Sequence, residues 1–179
     1  MKLNLGSGGH KLPGYTNVDS QPMENPDVVC DLSAERWPFE DNSVASATAS
    51  HVLEHIGPEP EKLFHFLREL YRVCKPNAVV KVVVPHPRSD LFLQDPTHVR
   101  PVMPGTLLMF SKSHVEELAA KQLFITPFYK YHGVDFAMDN QLLYTFPDGT
   151  DLSDPQLPHK IKHLNNIVQE IHMTLRVVK

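Results

Sequence analysis

Leu3-Asn4-Leu5-Gly6-Ser7-Gly8-Gly9 is the stretch that decides the fold, because a short apolar strand runs there directly into a turn with almost no side chains. Glycine tolerates positive φ angles and lets a ligand approach the backbone closely. A glycine turn at the carboxyl end of a strand therefore suits a nucleotide-like ligand. Because such turns also close many strands for structural reasons alone, this one needs a second feature beside it.

The second feature is Asp19, which ends the next short strand, at residues 15–19. In an open α/β sheet, a carboxylate at the tip of the neighbouring strand can accept hydrogen bonds from both ribose hydroxyls of a nucleoside. The glycine turn and Asp19 together predict one ligand site shared by two adjacent strand ends.

Further motifs follow the glycine turn in order over about the first half of the chain. They are Asn17-Val18-Asp19, Val29-Cys30-Asp31-Leu32, Trp37-Pro38-Phe39, Ser50-His51-Val52-Leu53-Glu54-His55-Ile56 and Leu67-Arg68-Glu69-Leu70-Tyr71-Arg72-Val73-Cys74-Lys75-Pro76-Asn77. With these motifs the sequence resembles the class I S-adenosylmethionine-dependent methyltransferases, in particular the small type-11-like group. The resemblance implies S-adenosyl-L-methionine as the cofactor. The second half of the chain carries no motif of comparable clarity.

The resemblance implies an α/β fold with a Rossmann-like methyltransferase sheet, in which most strands are parallel. We expect strands at residues 3–5, 15–19, 28–32, 44–50, 78–84 and 125–136. The last strand, 167–177, alternates apolar and polar side chains, which predicts an antiparallel strand at or near the sheet edge. Apolar residues at three-four spacing predict the main helix over 59–74. A capping-box pattern at Ser113 to Glu116 predicts a further helix to about residue 122.

The helices around strands 1 to 3 should be reduced. Residues 9–14 and 20–26 link successive strands, and both links are too short for the helical crossover that parallel strands usually need. This part of the sheet should therefore be thinly covered, and an exposed apolar sheet face commonly finds a partner. We predict a homodimer.

Length and composition indicate one domain, residues 1–179, with ordinary apolar and charged fractions of 41% and 21%. We find no apolar run long enough to cross a bilayer and no signal-peptide stretch at the start, and we expect a cytoplasmic protein without membrane contact. Only two cysteines, Cys30 and Cys74, argue against disulfides and a zinc-cysteine site. A net charge of −4 without a basic run makes a nucleic-acid partner unlikely on electrostatic grounds.

The resemblance also implies which residues contact the cofactor. Asp31 could accept from the adenine amino group and Leu32 could flank the ring, although Asp31 could instead cap the turn at residues 33–35. Ser50 and His51 leave strand 4 where the methionine half and the methyl group are expected. The predicted cofactor-binding residues are Asn4, Gly6, Ser7, Gly8, Asp19, Asp31, Leu32, Ser50 and His51. A structural role is favoured for His55.

Two long connections carry the remaining candidates. Residues 86–112 leave strand 5 at the ligand edge and are interpreted as an active-site lid, and residues 137–165 form a second long loop with a short helix near 159–164. His98 and His86 are the candidate catalytic bases, and Asp95 could orient either of them. Asp95 could equally belong to a turn and bind its own backbone.

The predicted reaction is methyl transfer to an oxygen or nitrogen of a small-molecule or carbohydrate-like acceptor. The sulfonium makes the methyl group a good electrophile, so the enzyme needs alignment and a base. Three alternatives stay open: a metal-assisted methyltransferase that uses His86, Asp95 and His98, a non-catalytic cofactor-binding or scaffolding relative, and a nicotinamide-dependent oxidoreductase. The oxidoreductase is disfavoured because the turn lacks the third glycine and the helix of that fingerprint.

Overall fold

The computed structural model describes residues 1–34, 36–139 and 142–179, and these contain one eight-stranded sheet. Its strands are β1 (Lys2–Leu5), β2 (Thr16–Asp19), β3 (Val28–Val29), β4 (Val44–Ser50), β5 (Cys74–Pro85), β6 (Phe136–Met138), β7 (Leu143–Thr145) and β8 (Glu170–Val177). The helices are α1 (Pro60–Val73), α2 (Asp90–Leu93), α3 (Pro104–Leu108), α4 (Lys112–Ala120), α5 (Phe128–His132) and α6 (Leu157–His163), with short 3-10 turns at Pro22–Glu24 and Leu53–His55.

The sheet has the order β3-β2-β1-β4-β5-β8-β6, and β7 also pairs with β8. Strands β1 to β5 are parallel, whereas β8 runs antiparallel to β5, β6 and β7. Alternate side chains of β8, from Ile171 to Val177, are buried, as the alternating pattern predicts. The predicted fold class, a mostly parallel α/β sheet with an antiparallel last strand, is confirmed.

Helix α1 covers the centre of the sheet. Its apolar stripe, which includes Leu63, Phe66 and Leu70, is fully buried, as its spacing predicts. Strand β5 follows α1 directly, without a loop, and its first residue, Cys74, pairs with Val44 of β4. Strand β5 therefore begins four residues before the predicted start.

The region around β1 to β3 has the reduced helical cover that was expected. Residues 6–15, all of them described, form turns between β1 and β2, and a single 3-10 turn, Pro22–Glu24, precedes β3. Strand β3 is shorter than the predicted 28–32 and lies at the sheet edge. Met23 is 92% exposed there and Val29 is also exposed. The homodimer stays a prediction.

The prediction of a strand over 125–136 was wrong. The middle of this segment forms the short helix α5, and only its last residue begins β6. Phe128 and His132 are spaced four apart and pack together against Phe64 and Phe110 from outside the segment. The aromatic residues that suggested a strand therefore form one face of a helix. Their sequence is compatible with a strand or a helix, and packing against Phe64 and Phe110 favours the helix.

The long connections contain more structure than the sequence suggested. Segment 86–112 includes α2 and α3, and it buries Val102, Leu107 and Phe110 in the core. Helix α4 begins after Ser111, whose hydroxyl accepts from the His114 N–H at 3.4 Å, rather than at Ser113. Segment 137–165 forms β7 and the short helix α6, close to the predicted helix position. Asn140 and Gln141 in that segment lie outside the described residues.

Candidate functional site

A cleft of about 530 Å³ opens at the carboxyl ends of β1, β2, β3 and β4. One wall, the glycine wall, consists of Gly6, Gly8, Asp19, Asp31 and Leu32 together with Ser20, Gln21, Cys30 and Ser33. The opposite wall, the histidine wall, consists of His51, Val52, His55, Ile56 and Thr97. Cofactor sites in proteins occupy clefts of about 300–1,000 Å³, so this one has the size for a nucleoside-type cofactor.

The glycine turn brings the two walls into contact. Gly6 and Gly8 have φ angles of +62° and +46°, which L side chains rarely adopt. A Cβ atom on Gly6 would stand 2.5 Å from Cγ2 of Val52, whereas one on Gly8 would meet nothing within 4 Å. Gly6 therefore allows close packing of the turn on the histidine wall, and Gly8 leaves open space on the cleft side.

Asp19 is held in place by the backbone. Its Oδ2 accepts from the Gly8 N–H at 2.7 Å, and its Oδ1 accepts from the Gln21 N–H at 2.8 Å. Each carboxylate oxygen has a second lone pair, so both can still accept from a ligand. The carboxylate thus joins the glycine turn to the end of β2 while lining the cleft.

Asp31 belongs to the same glycine wall as Asp19 and lies beyond the end of β3. Its Oδ1 accepts from the Ser33 N–H at 2.8 Å and from the Ser33 hydroxyl at 2.7 Å. Partial burial opposes ionisation, but these hydrogen bonds outweigh it and lower the pKa of Asp31 below its ordinary value. The turn that was the alternative for Asp31 is present, and Asp31 also lines the cleft, while its contact with adenine stays a prediction. Glu35 of that turn lies outside the described residues.

His51 lies at the carboxyl end of β4 with φ +55°, a backbone conformation that turns the chain from the strand into the histidine wall. Its Nδ1 lies 3.3 Å from Oε1 of Glu54 and its Nε2 lies 2.8 Å from Oε1 of Glu170. The Glu54 carboxylate has the largest effect on His51 and favours the charged imidazolium. Burial opposes this effect, but together with the Glu170 carboxylate Glu54 raises the pKa of His51 to about 9.

Three predicted cofactor residues are not in the cleft lining. Asn4 is buried behind the glycine turn, where its Nδ2 donates to the His10 carbonyl and to Asn17 Oδ1, both at 2.9 Å. Ser7 is also buried, and its N–H donates to the Val18 carbonyl at 3.0 Å. Ser50 is exposed at the end of β4. Asn4 and Ser7 thus support the turn from behind and do not reach into the cleft.

The predicted catalytic set does not come together as one group. His86 is buried, its Nδ1 accepts from the Arg88 N–H at 3.1 Å, and burial together with Arg88 lowers its pKa. Asp95 Oδ1 accepts from the Thr97 N–H at 2.8 Å and from the Thr97 hydroxyl at 2.6 Å, which is the local turn that was the alternative for this residue. His98 Nε2 lies 3.7 Å from Asp95 Oδ2, which is too long for a hydrogen bond.

His98 has other neighbours instead. Its ring lies 4.6 Å from the ring of His55, centroid to centroid, and its Nδ1 is 2.8 Å from the Phe92 carbonyl. Within the described residues, a group of three possible metal ligands contains Glu54, His55 and His98. Of the metal set considered from the sequence, only His98 belongs to this group, and His86 and Asp95 lie outside it.

His55 and Thr97 were not predicted as site residues, and Glu54 had no role assigned to it. Glu54 and His55 are adjacent in the chain and directly follow His51, so their nearness to the cleft was a signal that could have been used. Thr97 had no such signal, because its place beside His55, with Oγ1 at 3.0 Å from Nδ1, depends on the packing of a segment 42 residues away.

The comparisons with known proteins agree with this geometry. Residues 16–82 match the sequence model of the methyltransferase domain family, which is less than half of the chain. A S-adenosylmethionine-dependent methyltransferase structure from Archaeoglobus fulgidus superposes with a TM-score of 0.63 at 19% identity, covering 98% of this chain and 85% of that chain. The chain has the fold of the class I S-adenosylmethionine-dependent methyltransferases. The family match covers residues 16–82, and the likeness to the solved structures shows the fold.

Two further methyltransferase structures are similar at lower identity. The putative methyltransferase in complex with the Trm112 activator from Haloferax volcanii has a TM-score of 0.54 at 13% identity, covering 99% of this chain and 82% of that chain. The Burkholderia thailandensis 1,6-didemethyltoxoflavin-N1-methyltransferase, bound to its substrate and S-adenosylhomocysteine, has a TM-score of 0.50 at 14% identity, covering 99% and 71%. No curated protein sequence matches the chain.

Proposed function

We propose that the chain transfers the methyl group of S-adenosylmethionine to an oxygen or nitrogen of a small-molecule or carbohydrate-like acceptor. The observation that carries the proposal is the cleft at the carboxyl ends of the parallel strands. It brings the predicted cofactor residues of several strand ends together: Gly6, Gly8, Asp19, Asp31, Leu32 and His51. Ligands of open α/β sheets bind at this edge.

The glycine wall supplies the contacts that an adenosine group needs. Asp19 offers two carboxylate oxygens for the ribose hydroxyls, and it is already fixed by the Gly8 and Gln21 N–H groups. Asp31 is suited to accept from the adenine amino group, with Leu32 against the ring. This arrangement is preorganised, since the acceptors are oriented by backbone contacts before a ligand arrives.

The histidine wall is the proposed side for the acceptor. Methyl transfer breaks the bond from sulfur to the methyl carbon and forms a new bond to the acceptor, leaving S-adenosylhomocysteine and, for a protonated acceptor, one proton to be removed. The chain's task is mainly to align the two reactants. His55 and Thr97 line this part of the cleft, and His98 lies behind His55 with its side chain only 6% exposed.

Calorimetric titration with S-adenosylhomocysteine tests the cofactor half of the proposal. We expect Asp19→Asn to raise the dissociation constant by roughly one to two decades, since a hydrogen bond to a charged group contributes about 1.5–3 kcal/mol. Asp27→Asn is the matched control, because Asp27 Oδ2 accepts from the Asn17 N–H at 2.7 Å outside the cleft. Equal affinity of wild type and Asp19→Asn would refute the assignment.

Enzymatic turnover tests the acceptor half of the proposal. A coupled assay for S-adenosylhomocysteine release, run across sugars, phenols and small amines, should show activity with at least one class. Binding of S-adenosylhomocysteine without turnover on any acceptor would favour the non-catalytic, cofactor-binding alternative.

The cellular location and the oligomeric state of the protein are also proposed. Within the described part of the chain, no helix has the length and apolar character to span a membrane, and a cytoplasmic location is proposed on the composition. A homodimer through the thinly covered β1–β3 side is proposed because Met23 and Val29 are exposed there. A sedimentation experiment that shows a monomer at all concentrations would reject it.

A further inference from the structure

Glu54 is the side chain that calls for an explanation. It is completely buried, and neither of its carboxylate oxygens makes a hydrogen bond within the described residues. Oε1 has an ion-pair distance of 3.3 Å to His51 Nδ1, which leaves Oε2 without a hydrogen-bond donor among these residues. His51 pairs with Oε1 only, and a buried carboxylate oxygen without a partner is costly. Glu54 Oε2 therefore indicates a further positive group that completes its surroundings.

The two neighbouring histidines are oriented as metal ligands are. His98 Nδ1 lies 2.8 Å from the Phe92 carbonyl, which can only accept, so Nδ1 carries the proton and donates it. Thr97 donates its hydroxyl proton to Asp95 Oδ1 at 2.6 Å, so its oxygen accepts from His55 Nδ1 at 3.0 Å. In the neutral form of both rings, Nδ1 is therefore the donor and Nε2 carries the lone pair that a metal ion would use. Histidine ligands of metals commonly hold their other nitrogen in this way.

The three side chains also converge. Glu54, His55 and His98 each offer one ligand atom, and these atoms all lie within 4.8 Å of one another. We propose that Glu54, His55 and His98 bind one divalent transition-metal ion of the zinc type. Two imidazoles and one carboxylate are a known ligand set for zinc sites that keep one coordination position open. His55 is exposed, and a small shift of its side chain would bring it to the zinc–nitrogen bond length of about 2 Å.

The segments that carry the ligands are locked together. The Val99 N–H donates to the Glu54 carbonyl at 2.9 Å, directly beside His98. Arg100 Nε donates to the Ile56 carbonyl at 3.0 Å, and its guanidinium also contacts the carbonyls of Gly57 and Glu59. The site is therefore supported on both sides by contacts that do not depend on the ion, which is the support that a metal site requires.

The position of the cluster suggests what the ion would do, and this step rests on the proposed function. His55 and Thr97 line the cleft, so an open coordination position would face the acceptor side of it. An ion there would bind a hydroxyl or similar oxygen of the acceptor and hold it toward the methyl group. The metal site itself does not depend on this step.

Metal content of protein produced without a histidine tag gives the first test. After removal of metals with a chelator and titration with Zn²⁺, we expect one equivalent to bind to the wild type. Cobalt substitution should give the visible absorption of a nitrogen- and oxygen-ligated Co²⁺ site. His55→Gln should lower the affinity by more than about 100-fold, because even outer partners of a metal site contribute 10–100-fold. As His55 is exposed, this variant is expected to fold.

His98→Gln and Glu54→Gln should lose the same equivalent. Thr97→Val removes the hydroxyl that accepts from His55 Nδ1–H and donates to Asp95, and it should weaken zinc binding by about 10–100-fold. His163→Gln is the matched control: it removes one ring of the His159–His163 pair on α6, whose centroids are 4.4 Å apart and which is a plausible site for adventitious zinc. Zinc that is lost in His163→Gln but kept in His55→Gln would overturn the proposal.

Failure to bind any zinc in the wild type would overturn it as well. The proposed function is judged separately by titration with S-adenosylhomocysteine in the chelated protein. Zinc binding without cofactor binding would support the metal site and reject the methyltransferase proposal. Cofactor binding without zinc binding would reject the metal site and support the methyltransferase proposal.

Discussion

The two walls of the cleft are held in place by different kinds of contact. In the glycine wall, backbone N–H groups donate to nearby carboxylates and carbonyls, as between Gly8 and Asp19 and within Asp31-Leu32-Ser33. In the histidine wall, residues 51–57 are held by a segment about 40 residues away, through the Val99 and Arg100 contacts and the Thr97 contact with His55. A change in the second segment should therefore alter the acceptor side while sparing the cofactor side.

The largest effect is expected where the walls touch. Gly6→Ala should lower the free energy of unfolding by about 2–5 kcal/mol, because it combines a positive φ with overpacking against Val52. Gly8→Ala shares the positive φ but meets no neighbouring atom, so about 1–2 kcal/mol is expected. Urea denaturation measures both. Equal losses in the two variants would mean that the contact between Gly6 and Val52 does not constrain the turn.

Arg100→Ala should loosen the histidine wall alone. It removes the hydrogen bonds from the guanidinium to the carbonyls of residues 56, 57 and 59, and we expect a loss of about 1.5–3 kcal/mol in unfolding free energy. Hydrogen exchange should become faster in residues 52–57 and 95–100, while the affinity for S-adenosylhomocysteine changes by less than about twofold.

Arg88→Ala is the matched control, since Arg88 ties the same segment to the Lys162 carbonyl at 2.7 Å, in α6. It should leave exchange in 52–57 unchanged. A tenfold loss of cofactor affinity in Arg100→Ala would show that the two walls are not independent.

Glu69 lies outside both walls, and its hydrogen bonds predict how the stability of the protein depends on pH. Its carboxylate accepts from the Trp37 N–H at 2.8 Å and from Arg72 at 2.7 and 2.9 Å. Burial opposes its ionisation, but Arg72 and then the Trp37 N–H outweigh burial and lower the pKa of Glu69 below its ordinary 4.5. Because the folded pKa lies below the unfolded one, the stabilisation is complete above the unfolded pKa and is lost as the pH falls through the folded value.

Glu69→Gln should therefore be less stable than wild type by about 1–2 kcal/mol at pH 7, and the difference should shrink toward pH 3. Thermal unfolding across this pH range measures it. Binding of S-adenosylhomocysteine and of zinc should not change. A difference that grows on acidification would contradict the sign of the pKa shift.

The smallest effect concerns the adenine end of the glycine wall. Ser33→Ala removes the hydroxyl that donates to Asp31 Oδ1 at 2.7 Å but keeps the backbone donor. We expect the dissociation constant of S-adenosylhomocysteine to rise about twofold to fivefold, the equivalent of a weak hydrogen bond. Ser153→Ala removes the same contact from Asp151, where the hydroxyl donates at 2.6 Å outside the cleft, and should leave the affinity unchanged.

Much of the glycine wall could be predicted because its parts lie at the ends of adjacent strands. Gly6, Gly8, Asp19, Asp31 and Leu32 were chosen by position, and the structure brings them into one cleft. Asn4, which lies on β1, is outside the cleft lining for a simple reason. Side chains alternate between the two faces of a strand, and a strand-end motif does not state which face looks into the cleft.

The histidine wall could be predicted only in part. His51 was expected from the end of β4, but the lid histidines were assigned without knowledge of what they contact. His98 turned out to face His55 and Phe92, and His86 to be buried beside Arg88. Long loops give no period from which the direction of a side chain can be read, so residue type alone cannot separate a catalytic histidine from a packed one.

By itself the sequence determined where the parallel strands, the main helix and the glycine turn lie along the chain, because these depend on local patterns. It also indicated a shared ligand edge, because the ends of parallel strands meet at one edge of a sheet. Only the tertiary structure decided that residues 128–132 form a helix, since Phe64 and Phe110 outside the segment receive its aromatic face. It also decided that Glu54 and His55 meet His98. Those contacts join segments about 40 residues apart, and no local pattern records them, because their free energy comes from packing that exists only once the chain is folded.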